Sequence, residues 1–157
     1  MKIKSGMSGY IPYKGFHVED IKDFTKACYE IAELNQLSVQ QVIPNEDIDL
    51  YSTYNYAVLT DRENKIGIVG HIHFPLLTFV KPINKIDFGW DYPEFVEPND
   101  KILISTKNLS KYSLIQPFEL NENLSEDNFS ELNKSEIKAI KYFKPKKVGH
   151  VLFNCWD

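Results

Sequence analysis

Two runs rich in apolar and aromatic residues, joined by a short polar loop, constrain this chain more than any other feature. Residues Tyr51 to Thr60 and Lys65 to Phe74 flank Asp61-Arg62-Glu63-Asn64. Such runs, bounded by turn-forming residues, read as the two arms of an antiparallel hairpin. In the second arm Ile66, Ile68, Ile72 and Phe74 share one face, with Gly70 between them. Val69, His71 and His73 share the other, because side chains alternate along a strand. Pro75 and Pro82 then interrupt the pattern, since proline cannot donate to a strand ladder.

Other segments add to this hairpin. Val18, Ile21, Phe24, Cys28, Ile31 and Ala32 form an apolar stripe at helical spacing, which predicts a helix from Val18 to Asn35. Glu19, Asp20 and Asp23 crowd its first turns, where the helix dipole favours negative charge. Short strands are predicted at Ser38–Ile43, Leu77–Lys81, Ile86–Phe88, Ile102–Thr106 and Tyr112–Gln116. Asn123-Leu-Ser-Glu126 and Asn133-Lys-Ser-Glu136 carry the spacing of a helix start, with a capping residue and a glutamate three positions later. They predict short helices near 126–133 and 135–143. The expected fold is α+β: an antiparallel β-sheet with an N-terminal amphipathic helix and a C-terminal cluster of short helices. With no repeat, linker or low-complexity tract, residues 1–157 read as a single globular domain.

The last segment is dense in apolar residues. Pro145 suits a first helical position. Val148, Val151, Leu152, Cys155 and Trp156 follow at the spacing of one helix face. This predicts a terminal helix that closes the core, with Phe153 off the stripe. Gly149 would let another backbone approach closely. The alternative for this segment is a ligand or partner site.

Candidate chemistry is sparse. His71 and His73 would project together from one strand face, a familiar way to hold a divalent metal. A catalytic zinc needs a third ligand, and the next acid and histidine are the distant Asp87 and His150. No glycine-rich phosphate loop and no Gly-x-Ser-x-Gly turn occurs. Cys28 and Cys155 lack metal or redox spacing and are expected as buried, reduced thiols. No enzymatic role and no cofactor is therefore expected. A small metal-dependent enzyme using His71 and His73 remains an alternative. No run reaches the ~18 apolar residues of a membrane span, and the first residues lack a secretory signal. The expected location is the cytoplasm, away from membranes.

Charge is segregated along the chain. Residues 86–100 contain Asp87, Asp91, Glu94, Glu97 and Asp100 with no Lys or Arg, interleaved with Phe88, Trp90, Tyr92 and Phe95. Glu119, Glu122, Glu126, Asp127 and Glu131 form a second acidic block. Lysines 134, 138, 141, 144, 146 and 147 follow, with Glu136 alone among them. Acids around aromatic anchors suit a basic protein partner. Asp87, Trp90, Asp91, Tyr92, Glu94, Glu97 and Asp100 are thus the candidate partner-binding residues. The plainer alternative is a solvated, proline-punctuated loop whose aromatics turn inward. The net charge of −4 argues against direct nucleic-acid binding as the main role.

The terminal pattern Phe143-Lys-Pro145…Gly149…Phe153-Asn154-x-Trp156-Asp157 resembles the ending of short bacterial immunity proteins. These partner polymorphic toxins, as in contact-dependent inhibition systems. The resemblance covers residues 134–157. It implies an inhibitor that binds a cognate protein toxin, such as a basic nuclease domain, and blocks its active site or substrate access. It assigns no binding residues. A non-catalytic interaction or accessory domain is the alternative.

Overall fold

The hairpin forms with each arm three residues shorter than predicted, at Tyr54–Thr60 and Lys65–His71, and the rest of the molecule is built on both of its faces. The structure, a computed structural model, describes residues 1–10, 17–83 and 92–156. The predicted strand Ile86–Phe88 lies outside the described residues. Strands β1 (Ser38–Ile43), β2 (Tyr54–Thr60), β3 (Lys65–His71) and β4 (Leu76–Val80) pair in sequence order, each antiparallel to the last. Asp61 closes the β2–β3 loop: its Oδ1 accepts from the amides of Glu63 and Asn64 at 2.8 and 2.7 Å. A bulge between Val39 and Gln41 interrupts the β1–β2 register.

The sheet differs from the expected one at its far edge. β5 (Ser113–Leu114) joins β4 in parallel, so the sheet is mixed. Only two residues of the predicted Tyr112–Gln116 strand pair. Ile102–Thr106 is helical, within α3 (Asp100–Thr106), and is not a strand. Its β-branched residues suggested extension. The Asn99 side chain decides otherwise by accepting from the Ile102 amide at 2.9 Å, a cap worth roughly 1 kcal/mol. Ile102 and Thr106, one helical turn apart, then both point inward.

Helix α1 (Ile21–Leu34) covers one sheet face. Asp20 caps it by accepting from the Lys22 amide, so Val18 stays outside the helix and exposed. Phe24, Cys28 and Ile31 bury against Leu59, Ile68 and Phe79. Gly70 makes room for this packing, because an added Cβ would stand 2.5 Å from the Phe24 ring.

The opposite face carries Tyr54, Tyr56, Val58 and Val69. Ile3 and Met7 of the N-terminal segment pack on it, together with α5 (Lys134–Phe143) and α6 (Val148–Leu152). Both faces of the central strands are therefore buried. Two short helices escape the sequence patterns, α2 (Asn45–Ile48) and α4 (Pro117–Leu120). The capping box at Asn133 and Glu136 forms as predicted. The other does not: Ser125 and Asn128 cap a 3₁₀ turn at Glu126–Phe129. Among the described residues, no helix is long and apolar enough to cross a membrane.

The terminal segment is buried but mostly not helical. Pro145 follows Lys144, a left-handed C-cap at φ 51°, and so ends α5; it does not start α6. Helix α6 stops at Leu152 because the Asn154 side chain takes over its backbone groups. Asn154 Nδ2 donates to the Val151 carbonyl at 2.7 Å and to Ser8 O at 3.0 Å. Phe153, expected off the apolar stripe, is fully buried. Cys155, expected on a helix face, lies beyond the helix and is only partly buried.

Candidate functional site

The outer edge of β4 is shared between two segments, and this division positions the acidic residues. β5 covers its first half: the Ile115 amide donates to Leu77 O at 2.9 Å. Residues 94–96 cover its second half. The Lys81 amide donates to Glu94 O at 2.8 Å, and the Val96 amide to Phe79 O at 3.2 Å. Val80 and Phe95 form an antiparallel bridge between them. The segment is thus locally extended, and alternation turns Glu94 away from the buried Pro93 and Phe95. Glu97 and Asp100, past the bridge, are exposed as well.

Phe95 seats beside Phe153, with ring centroids 5.8 Å apart. Its ring occupies the space left by the missing side chain of Gly149, where a Cβ would come within 2.2 Å of Phe95 Cε2. Gly149→Ala gains some helix propensity but must displace a buried ring. A net loss of about 1–3 kcal/mol is expected in urea unfolding; an unchanged midpoint would mean the ring is free to move.

Helix α4 braces the same segment from outside. Asn121 Nδ2 donates to Phe95 O at 3.0 Å, and Lys147 Nζ donates to Asn121 Oδ1 at 3.2 Å. Glu97 Oε1 accepts from the Phe118 amide at 2.9 Å. That bond places the Phe118 ring, 62% exposed, beside the acidic edge. The sequence reading missed Phe118; the only local cue was an aromatic between Pro117 and Glu119. Glu97 and Asn99 also line a groove of about 470 Å³ that runs to the β2–β3 loop. Leu59, Ile66 and Val96 contribute apolar lining, and Lys65 and Lys81 sit at its side.

The candidate partner-binding residues therefore divide. Glu94, Glu97 and Asp100 are exposed on the stretch that runs from the β4 edge into α3, the acidic edge. Tyr92 turns inward instead: it stacks on His150 at 4.0 Å with the rings 6° apart, and its hydroxyl accepts from Trp156 Nε1 at 3.1 Å. Asp87, Trp90 and Asp91 lie outside the described residues. In the second acidic block Glu122, Glu126, Asp127 and Glu131 are exposed and Glu119 is half-buried.

The histidine pair is arranged differently from expectation. β3 ends at His71, so alternation does not carry through to His73. His71 is completely buried. Its Nδ1 accepts from the His73 amide at 3.0 Å, which leaves the proton on Nε2 to donate to Met7 O at 2.7 Å. Both ring nitrogens are thus committed. His73 Nδ1 donates to His17 O at 2.8 Å. Among the described residues, no group of three or more His, Cys, Asp or Glu could hold a metal ion. Burial drives the Cys28 thiol far up and Cys155 to about 11, which keeps both protonated and poorly nucleophilic.

Burial also pushes His71 down to about 3, and burial lowers His73 and His150. The unfolded chain takes these protons near the ordinary histidine value. Stability is therefore complete above that value and falls as pH drops toward 3. His71 alone should remove about 2 kcal/mol between pH 7.5 and 5. Urea midpoints measured against pH would show this. His71→Phe should flatten the slope, and an equal slope in both proteins would assign the acid sensitivity elsewhere.

Comparison with protein-family models, curated proteins and solved structures gives no match.

Proposed function

We propose that this protein is an immunity-type inhibitor, which binds a cognate bacterial toxin in the cytoplasm and blocks its active site or substrate access. The observation that carries this reading is the acidic edge. Glu94, Glu97 and Asp100 stand exposed on backbone held by β4, α3 and α4. Charges on an ordered backbone lose little conformational entropy when a partner docks. They steer a basic surface during encounter. Phe118 supplies an apolar anchor beside them, and the adjoining groove offers apolar area to bury. The resemblance of the terminal segment to immunity proteins adds to this reading, although Gly149, Phe153, Asn154 and Trp156 of that pattern serve the interior and not the edge.

Co-expression with the product of a neighbouring toxin gene tests the proposal. Protection and a purifiable complex are expected; a toxin that still kills and forms no complex would end it. The edge itself is tested by the exposed pair Glu94→Lys and Asp100→Lys. Association should slow by roughly tenfold or more at low salt, with less change at high salt. Unaltered association rates would move the interface elsewhere.

A further inference from the structure

We propose that the outer face of α5 binds single-stranded nucleic acid, at a site separate from the acidic edge. Lys134, Lys138 and Lys141 recur at one helical stripe, and all three are exposed. Neighbours on such a stripe stand roughly 5–6 Å apart, which suits a repeating phosphate chain. Lys144 and Lys146 continue the exposed positive charge beyond the helix. The acid on this helix, Glu136, is fully buried and turned toward Gly6 and Ser8, so it does not offset the lysines at the surface. Glu131, before the helix, is the nearest exposed acid in sequence.

A groove of about 410 Å³ lies along this face, lined by Tyr10, Ser135, Lys138, Ala139, Tyr142 and Phe143. Tyr142 is 78% exposed and Tyr10 37%. Tyr142 is not a loose surface ring. It meets Phe143 in a T-shaped contact at 4.9 Å and 84°, and Phe143 in turn stacks on Trp156. Phe143, half-buried on the buried Trp156, thus orients the exposed Tyr142 ring. Exposed rings beside lysines are what base stacking plus phosphate pairing requires. An acidic protein surface would use the lysines and leave the rings unexplained. A duplex keeps its bases stacked on one another, so a single strand is the better occupant.

Fluorescence anisotropy with a fluorescein-labelled oligothymidine tests this. Binding is expected at about 50 mM salt, with a log–log salt slope near −2 from three lysines. Tyr142→Ala should weaken it roughly tenfold with the slope unchanged. Lys138→Ala should weaken it and reduce the slope by about 0.7. Both side chains are exposed, and thermal melting would verify that each variant is folded. Absence of binding overturns the proposal. So does equal binding of polyglutamate, or binding indifferent to Tyr142→Ala, since either would make the face a general anion or acidic-protein surface. These outcomes do not depend on whether the acidic edge binds a toxin.

Discussion

Replacing Trp156 by alanine is expected to lower the unfolding free energy by about 3–5 kcal/mol. The ring is 7% exposed and lies parallel to Phe143, with centroids 5.0 Å apart and planes within 3°. Its Nε1 donates to the Tyr92 hydroxyl, so the change also leaves that hydroxyl without its donor. Removing the indole opens a cavity between α5, Tyr92 and the terminal segment, and the parallel Phe143 ring cannot collapse into it without leaving Tyr142. A domain of this size is typically stable by about 5–15 kcal/mol, so much of the total is at stake. Urea unfolding at neutral pH gives the number. A variant that keeps its midpoint would place the indole at the surface.

Glu136→Ala should cost a comparable amount, about 3–5 kcal/mol, through polar groups and not through a cavity. The carboxylate is fully buried. Oε1 accepts from the Gly6 amide and the Ser8 hydroxyl, each at 2.7 Å, and Oε2 accepts from the Asn133 amide at 3.1 Å. Alanine leaves three donors behind, of which the Ser8 hydroxyl sits in a side chain only 1% exposed. Each buried, unpaired donor costs about 1–3 kcal/mol, partly recovered by entering water. The reciprocal cap at Asn133 is lost as well. Limited proteolysis separates this mechanism from a general loss of stability: cleavage should begin in the first ten residues while the sheet stays intact. Uniform cleavage would mean that Glu136 supports the whole fold equally.

The parts of the fold that show local periodicity were legible. α1, the hairpin and the Asn133 cap follow from spacing alone. The misreadings have physical causes. Ile102-Leu-Ile-Ser-Thr106 has strand-like composition, and one capping side chain outweighed it. Cys155 and Trp156 continue the helical stripe of Val148, Val151 and Leu152, but Asn154 bonds to the preceding turn and ends it. The burial of His71 was hidden because the covering group, the N-terminal segment, has no periodicity to betray it. For the candidate site, sequence gave the acids but not their geometry. Their exposure depends on residues 94–96 completing the edge of β4, a pairing between segments with no shared signal. Phe118 is held at the edge by the bond from its amide to Glu97 and by Asn121 at the end of the same helix.

The contacts that seal the core on its second face join the two extremes of the sequence. Gly6 and Ser8 meet Glu136, Met7 meets His71, and Ser8 meets Asn154. Some of these partners are 128 to 146 positions apart. Closing loops of that length is entropically costly and contributes to slow folding. On the ribosome, α1 and the hairpin can therefore assemble early, but Tyr54, Tyr56 and Val69 stay uncovered until Asn154 has left the exit tunnel. For that interval a newborn chain presents a sticky, half-dressed sheet. Its yield in the cell should depend on how quickly residues 134–154 follow the sheet and on chaperones that shield it meanwhile.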